Sequence, residues 1–298
     1  MIVYLNGAYL ERARAAVSVD DRGFLFGDGV YEVTRAVNGQ LFEWERHARR
    51  LARGLEGLGI QLSGGLERIG LPEISERLLD ENGLGTGDAT VYLQITRGAA
   101  ERRHHFPPAG TPPTVFLGAS RLAVPEAIRA QGAAAITTAD LRWGRCDLKT
   151  VNLLPNVLAK EQAVAAGAFE AILVRDGVIT EGASSNVLAV IGGVLRTHPL
   201  MPQILAGITR EVVLELAAEV GVPVALEAIP QDGLARASEV MVTATTADVM
   251  PVVKIDGRPV ADGQPGPVAR RLHAALCTRM GRAAVRAPAG ATGPARPI

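Results

Sequence analysis

The tight-turn dipeptides constrain this chain more than any other feature. Asn6-Gly7 stands between the strand-like runs of "VYLNGAYL", and Asn38-Gly39 between those of "VTRAVNGQLF". Asp176-Gly177 divides "FEAILVRDGVITEG", and Gly192-Gly193 divides "SSNVLAVIGGVLRT". A two-residue loop of this kind joins antiparallel neighbours. Further strands are read in "ATVYLQITRG", "TPPTVFLGAS", "AAITTADLRW" and "EVMVTATTADVMPVVKIDG". Helical spacing interrupts them. Trp44, Ala48, Leu51, Leu55 and Leu58 recur at intervals of four and three, one apolar stripe. "PEISERLLDENG" reads as a helix ended by Gly83, and "LLPNVLAKEQAVAAG" as one ended by Gly167. Val212, Val213, Leu216 and Val220 share a side of "ITREVVLELAAEVG", and "GPVARRLHAALCTRM" closes the pattern. Strands that run mostly as hairpins, rather than in strict alternation with helices, predict an α+β fold.

The strand-to-proline transition near residues 119–126 is the best boundary in the chain. It gives an N-terminal domain over 1–120 and a C-terminal domain over 121–282. The Ala-, Gly-, Pro- and Arg-rich tail from 283 to 298 reads as disordered. Lys plus Arg equals Asp plus Glu at 31 each, so charge gives no reason to expect nucleic acid or an anionic membrane as partner. No stretch has the length or polarity of a membrane span or a secretory signal, and a cytoplasmic protein is expected. Cys146 and Cys277 have no metal-type spacing and are expected as reduced thiols. His104 and His105 are adjacent, so an extended backbone sends them to opposite faces and no metal site is expected. "GFLFGDGVYE" is glycine-rich but fits neither the P-loop nor the dinucleotide spacing.

Lysine is scarce. Only Lys149, Lys160 and Lys254 occur, against arginine everywhere else. A guanidinium stays protonated in proteins, whereas a lysine amine can lose its proton and form a Schiff base with a carbonyl. That directs attention to a carbonyl cofactor. Pyridoxal phosphate requires such a lysine, an acid beside its pyridine nitrogen, and donors for its phosphate. Candidates for each are present. Glu181 lies among small residues in "TEGASSN". Gly207, Ile208 and Thr209 start the Val212–Val220 helix, where free N–H groups cradle an anion. Thr245 and Thr246 follow a strand, and Arg50 lies beside the first apolar stripe. Each has an ordinary alternative: a solvated turn carboxylate, a threonine N-cap, a surface arginine.

Their combination and order resemble the class IV (fold type IV) pyridoxal-phosphate aminotransferases. The matching stretches are "FGDGVYEV", "RHARRL", "TRGAAERRHHFP", "RWGRCDLKTVNLLPNVLAK", "AILVRDGVITEGASSNV", "ILAGITRE" and "VTATTADVMPV", over roughly residues 1–280. The resemblance implies an N-terminal α/β sandwich and a C-terminal β-barrel-like domain with flanking helices, in a homodimer with its active site near the subunit interface. It implies Lys149 as the Schiff-base lysine and Glu181 as partner of the pyridine nitrogen. Arg50, Gly207, the N–H groups of Ile208 and Thr209, the Thr209 hydroxyl and Thr245 would hold the phosphate. Leu205 would pack on the ring, with Ser184 and Ser185 nearby. Arg102 and His104, two apart in an extended segment, would join the Tyr31 phenol in a carboxylate trap like that of the family's D-amino acid branch. A ping-pong exchange between D-alanine and 2-oxoglutarate follows. Branched-chain L-amino acid or (R)-amine transamination and aminodeoxychorismate-lyase chemistry are the alternatives within the fold.

Overall fold

The computed structural model describes residues 1–282, and the tail read from 283 onward lies outside them. The first hairpin pairs β1 (Ile2–Leu5) with β2 (Ala8–Glu11). Its turn residues Asn6 and Gly7 have φ of 49° and 93°, the positive values that a tight hairpin turn demands at both central positions. A short helix α1 (Arg22–Phe26) is capped by the Asp21 carboxylate, which accepts from the Gly23 and Phe24 N–H groups. The chain then runs through β3 (Gly29–Val37) and turns at Asn38-Gly39 into β4 (Gln40–Leu41). Helices α2 (Trp44–Leu58) and α3 (Leu71–Glu81) follow, then β5 (Asp88–Thr96) and β6 (Thr114–Arg121). The six strands form an antiparallel sheet in the order β2-β1-β6-β5-β3-β4. Leu51 and Leu55 of α2 and Leu71, Leu78 and Leu79 of α3 are buried in one cluster with Val91, Leu93, Ile95 and Leu117 of the strands. Each such leucine contributes roughly 1.5–3 kcal/mol through its removal from water.

A helix that the sequence pattern does not show, α4 (Glu126–Gln131), leads to β7 (Ala133–Ala139). Beyond α5 (Leu154–Ala165), β8 (Glu170–Arg175) returns parallel to β7, a crossover set among hairpins. The expected hairpins then appear as β8 with β9 (Val178–Gly182) and β10 (Asn186–Ile191) with β11 (Val194–Thr197). Next come α6 (Ile208–Glu219), β12 (Val224–Leu226) and β13 (Ile229–Pro230). The stretch read as one strand over 239–257 is two, β14 (Glu239–Ala244) and β15 (Asp248–Ile255), antiparallel across a turn. Without a Gly or Asn-Gly pair that turn is silent in the sequence; Asp248 supplies the positive φ, 56°. Short β16 (Arg258–Pro259) and α7 (Pro267–Arg279) complete the described chain.

The second sheet runs β12-β11-β10-β14-β15-β7-β8-β9-β13, with β16 on β15. Both of its faces are covered. Along β10, Leu188 and Val190 join Val212, Val213 and Leu216 of α6 and Leu272 and Leu276 of α7. Val187 and Ala189 face the other way, into a cluster with Ile172, Val242, Met250 and Leu234. Burial on both faces is why this strand reads as a continuous apolar run. Val37 and Phe42 from the first sheet's hairpin pack into the α6–α7 cluster and join the two halves. None of the described helices is long and apolar enough to cross a membrane.

Candidate active site

A cavity of about 380 Å³ opens between the two sheets. The extended segment carrying Lys149 is fixed on one side of it by backbone pairing with the first sheet. Tyr31 N–H donates to the Lys149 carbonyl at 3.0 Å, and Val151 N–H donates to the Gly29 carbonyl at 3.1 Å. Strand β4 pairs only with the far end of β3, so this edge is open to receive residues 149–151. Lys149 is half-buried and lines the cavity, its Nζ 4.1 Å from the centroid of the Tyr31 ring. Lys160 lines the same cavity but is engaged elsewhere: Nζ donates to the Phe169 carbonyl and stands 3.5 Å from Glu170. The third lysine, Lys254, is exposed on β15, away from the cavity lining.

Glu181 on β9 is buried at the cavity wall, not solvated in a turn. One oxygen accepts from Arg142 Nη1; the other accepts from Asn186 Nδ2 at 2.9 Å and the Leu205 N–H at 3.0 Å. Burial pushes its carboxyl up to about 7 against the lowering pull of Arg142. Arg142 is itself held by Asp140, which accepts from its Nε at 2.8 Å and its Nη2 at 2.9 Å. Asn186 also donates to the Leu205 carbonyl at 3.0 Å. The Leu205 backbone is therefore gripped at both its N–H and its C=O, which fixes the side chain against the cavity.

The cavity wall beyond Leu205 gathers donors. Gly207 caps α6 with no side chain to occupy the helix N-terminus, and Ile208 and Thr209 begin the helix. Thr209 is a buried first-turn residue and not the N-cap. The aligned peptide dipoles give that end a partial positive charge of about half an elementary charge. Arg50 reaches it from α2, donating from Nη1 to the Ala206 carbonyl at 2.8 Å. The remaining guanidinium face is gripped by Glu32, through Nε at 2.7 Å and Nη2 at 2.8 Å. His47 donates to the same Glu32 across 2.8 Å. Burial would raise the Glu32 carboxyl, but Arg50 outweighs it and holds the group at about 2. Burial pulls His47 below its ordinary value despite Glu32. Thr245, on the β14–β15 turn, lines the cavity with Thr246.

Ser184 and Ser185 also line the cavity, but both hydroxyls donate to Glu170 Oε2, at 2.9 and 2.8 Å. Tyr31 lines it as well. Arg102 and His104 do not come to it. They are exposed on a turned loop after β5 rather than on an extended run. The Arg102 Cζ lies 5.2 Å from the Phe26 ring centroid, and the His104 ring lies 5.7 Å from it. The loop is anchored by Arg22, whose Nη1 donates to the Arg103 carbonyl at 2.7 Å. Among the described residues no group of three or more His, Cys, Asp or Glu is placed to hold a metal ion. Sequence reasoning passed over Arg142, Asn186, Glu32 and His47. Arginine is the common cation here and gives no signal, although Arg142 sits seven residues before Lys149 in a stretch that carried the resemblance.

The family model for class IV amino-transferases matches residues 29–255, from the first residue of β3 to the last of β15. This chain is a class IV aminotransferase. The D-alanine aminotransferase of Bacillus licheniformis is 45% identical to it over 276 residues, 93% of this aminotransferase and 96% of the relative. That of Staphylococcus epidermidis is 45% identical over 271 residues, 91% and 95% of the two chains. Among solved structures, the branched-chain amino acid aminotransferase of Escherichia coli superposes with a TM-score of 0.85 at 26% identity, covering 93% of each chain. The T.th. branched-chain amino acid aminotransferase complexed with N-(5'-phosphopyridoxyl)-L-glutamate gives 0.83 at 30% identity, covering 94% of each. The aminotransferase thus has the α+β fold that the turn dipeptides and the resemblance pointed to.

Proposed function

We propose that this aminotransferase binds pyridoxal 5'-phosphate in the 380 Å³ cavity and moves an amino group between a D-amino acid of the D-alanine type and a 2-oxo acid. The observation that carries the cofactor is Glu181. A buried carboxylate aimed into a cavity is matched by a protonated ring nitrogen, which would offset the burial that raises its pKa to about 7. The other residues fit the same group. The α6 N-terminus, the Thr209 and Thr245 hydroxyls and Arg50 would hold the phosphate, and Leu205 would pack against the ring. The bound cofactor would supply an aldehyde for the amino group and a ring that takes up the electron pair left at the substrate's Cα.

The chain's own groups do the rest. Lys149 would hold the aldehyde, and its freed amine would take the substrate's Cα proton as general base and give it back as general acid. Glu181 would hold the proton on the ring nitrogen, and Arg142 and Asn186 keep Glu181 aimed. The choice of a D-amino acid rests on the 45% identity to D-alanine aminotransferases, against 26–30% to the branched-chain enzymes, and on Tyr31 at the cavity.

Arg102 and His104 fit a carboxylate trap if a second copy of the chain supplies them. Leu154, Val157 and Leu158 form an exposed apolar stripe on α5, and Val157 lines the cavity. A homodimer covering that stripe would bring the partner to the cavity mouth, with its own loop. Mixing two variants, each impaired on D-alanine below its KM, tests this. Dimers formed from R102L and K149A subunits would regain one working site, combining Lys149 of one subunit with Arg102 of the other. Regain of activity supports the shared trap, and none at all contradicts it. A panel of both enantiomers of common amino acids tests the specificity, and preference for L-leucine over every D-amino acid would overturn the D assignment.

A further inference from the structure

A second buried cluster of charge lies behind the cavity. Asp248 opens β15 and is fully buried. Arg35 Nη1 donates to its Oδ1. Its Oδ2 accepts from Arg282 Nη1 at 3.0 Å and Arg129 Nη2 at 3.4 Å, and His273 Nε2 lies 3.7 Å away. Arg129 Nη2 also donates to the Ala247 carbonyl at 3.0 Å. Around this centre, Asp88 accepts from Arg35 Nε and Nη2 at 3.0 and 2.8 Å, and Glu126 accepts from Arg129 and Arg282. The chain has thus assembled groups from β3, β5, α4, β15, α7 and the segment after it around one carboxylate.

The cluster meets the site at one place, the turn between β14 and β15. The Ala247 N–H closes it on the Ala244 carbonyl at 3.2 Å. Thr245 and Thr246 line the cavity, while Ala247 and Asp248 carry the arginine contacts. The strand that supplies Arg35 is also the strand that supplies Tyr31. Tyr31, Val33 and Arg35 alternate along β3 and so share a face, and Tyr31 and Val33 line the cavity.

We propose that Asp248 is a positioning residue: gripped by Arg35 and Arg129, it fixes the 244–248 turn with Thr245 and Thr246 toward the cavity and keys that turn to β3. The proposal rests on the reading above in which Thr245 meets the cofactor phosphate. Removing the carboxylate leaves buried guanidinium groups without their shared counter-charge, and the turn without its anchor. Asn keeps the shape of Asp and tolerates the positive φ at this position, so Asp248→Asn isolates the charge.

The test compares two ligands on the full chain freed of cofactor. Pyridoxal 5'-phosphate and pyridoxal offer Lys149 the same aldehyde, and the closure of pyridoxal to a hemiacetal through its free 5'-hydroxyl is a property of the free ligand that cancels between variant and wild type, so a change in the ratio of their affinities reports the phosphate grip. Asp248→Asn is expected to lower that ratio about tenfold, the worth of one net hydrogen bond, with pyridoxal affinity unchanged. Arg129→Gln, which removes the bond to the Ala247 carbonyl and leaves Asp248 its Arg35 and Arg282 partners, is expected to lower it in the same direction and serves where Asp248→Asn does not fold. Asp88→Asn, in the cluster but off the turn, is expected to leave it unchanged. If Thr245→Val lowers the ratio while Asp248→Asn and Arg129→Gln do not, the positioning role is overturned. If Thr245→Val itself leaves the ratio unchanged, the phosphate reading beneath it is overturned instead.

Discussion

Substituting Glu32 by Gln is expected to uncouple Arg50 from its support, with a pH signature that identifies the cause. Glu32 is buried and grips Arg50 through two bonds, of 2.7 and 2.8 Å. Its carboxyl is held at about 2, against an ordinary 4.5, and that difference corresponds to about 3 kcal/mol of folding stability at neutral pH. Breaking a buried ion pair by removing one partner gives a similar figure, about 3–5 kcal/mol. A depressed carboxylate stabilises the fold above its unfolded pKa, and the contribution is lost as pH falls from about 4.5 toward about 2. The wild type is therefore expected to exceed E32Q by about 3 kcal/mol at pH 7, and by about 1.4 kcal/mol less than that at pH 3.5. Urea unfolding of both proteins at fixed protein concentration measures the gap. A gap that stays constant between the two pH values, or one below about 1 kcal/mol at pH 7, would refute the assignment of this energy to the Glu32–Arg50 pair.

Glu181→Gln is expected to lower kcat by roughly ten- to hundredfold, the worth of a charge-assisted hydrogen bond. Because burial raises the Glu181 carboxyl to about 7, its contribution to the cofactor-free fold is lost as pH rises from about 4.5 through about 7. Cofactor-free E181Q is therefore expected to be more stable than wild type at pH 8 and no more stable at pH 4.5, as thermal unfolding at the two pH values would show. Arg102→Leu is expected to raise KM for D-alanine and 2-oxoglutarate alike, since both carry an α-carboxylate, and to spare an amine that lacks one; steady-state kinetics on the three substrates decides it. Leu158→Asp places a charge on the exposed α5 stripe and is expected to weaken subunit association, read as a lower mass in sedimentation.

The fold was legible where local chemistry is strong. All four turn dipeptides gave hairpins because positive φ at two successive residues is nearly exclusive to Asn, Asp and Gly. The β14–β15 turn was missed because its positive φ falls on Asp248, a single residue inside a β-branched run whose turn is stabilised by distant arginines. Helix α4 was missed because its six residues bury little beyond Arg129. In the site, Lys149 was visible by its rarity and Glu181 by its small neighbours. Arg142, Asn186, Glu32 and His47 were not, because their value lies in bonds to residues 5 to 39 positions away, which no local pattern encodes. Arg102 and His104 show the converse. Their spacing suggested a pair facing one site, and the single chain places them on an exposed loop outside the cavity.

The assignment of chemistry turns on which lysine takes the aldehyde, and two lysines line the cavity. Lys160 is engaged by the Phe169 carbonyl and Glu170, whereas Lys149 lies over the Tyr31 ring. Borohydride reduction of the protein loaded with pyridoxal 5'-phosphate, followed by peptide mapping, fixes the cofactor to the lysine that held it. The label is expected on Lys149 in the "RCDLKTVN" stretch, with Lys149→Ala unlabelled and inactive. A label on Lys160 or Lys254, or a Lys149→Ala protein that still turns over, would contradict it.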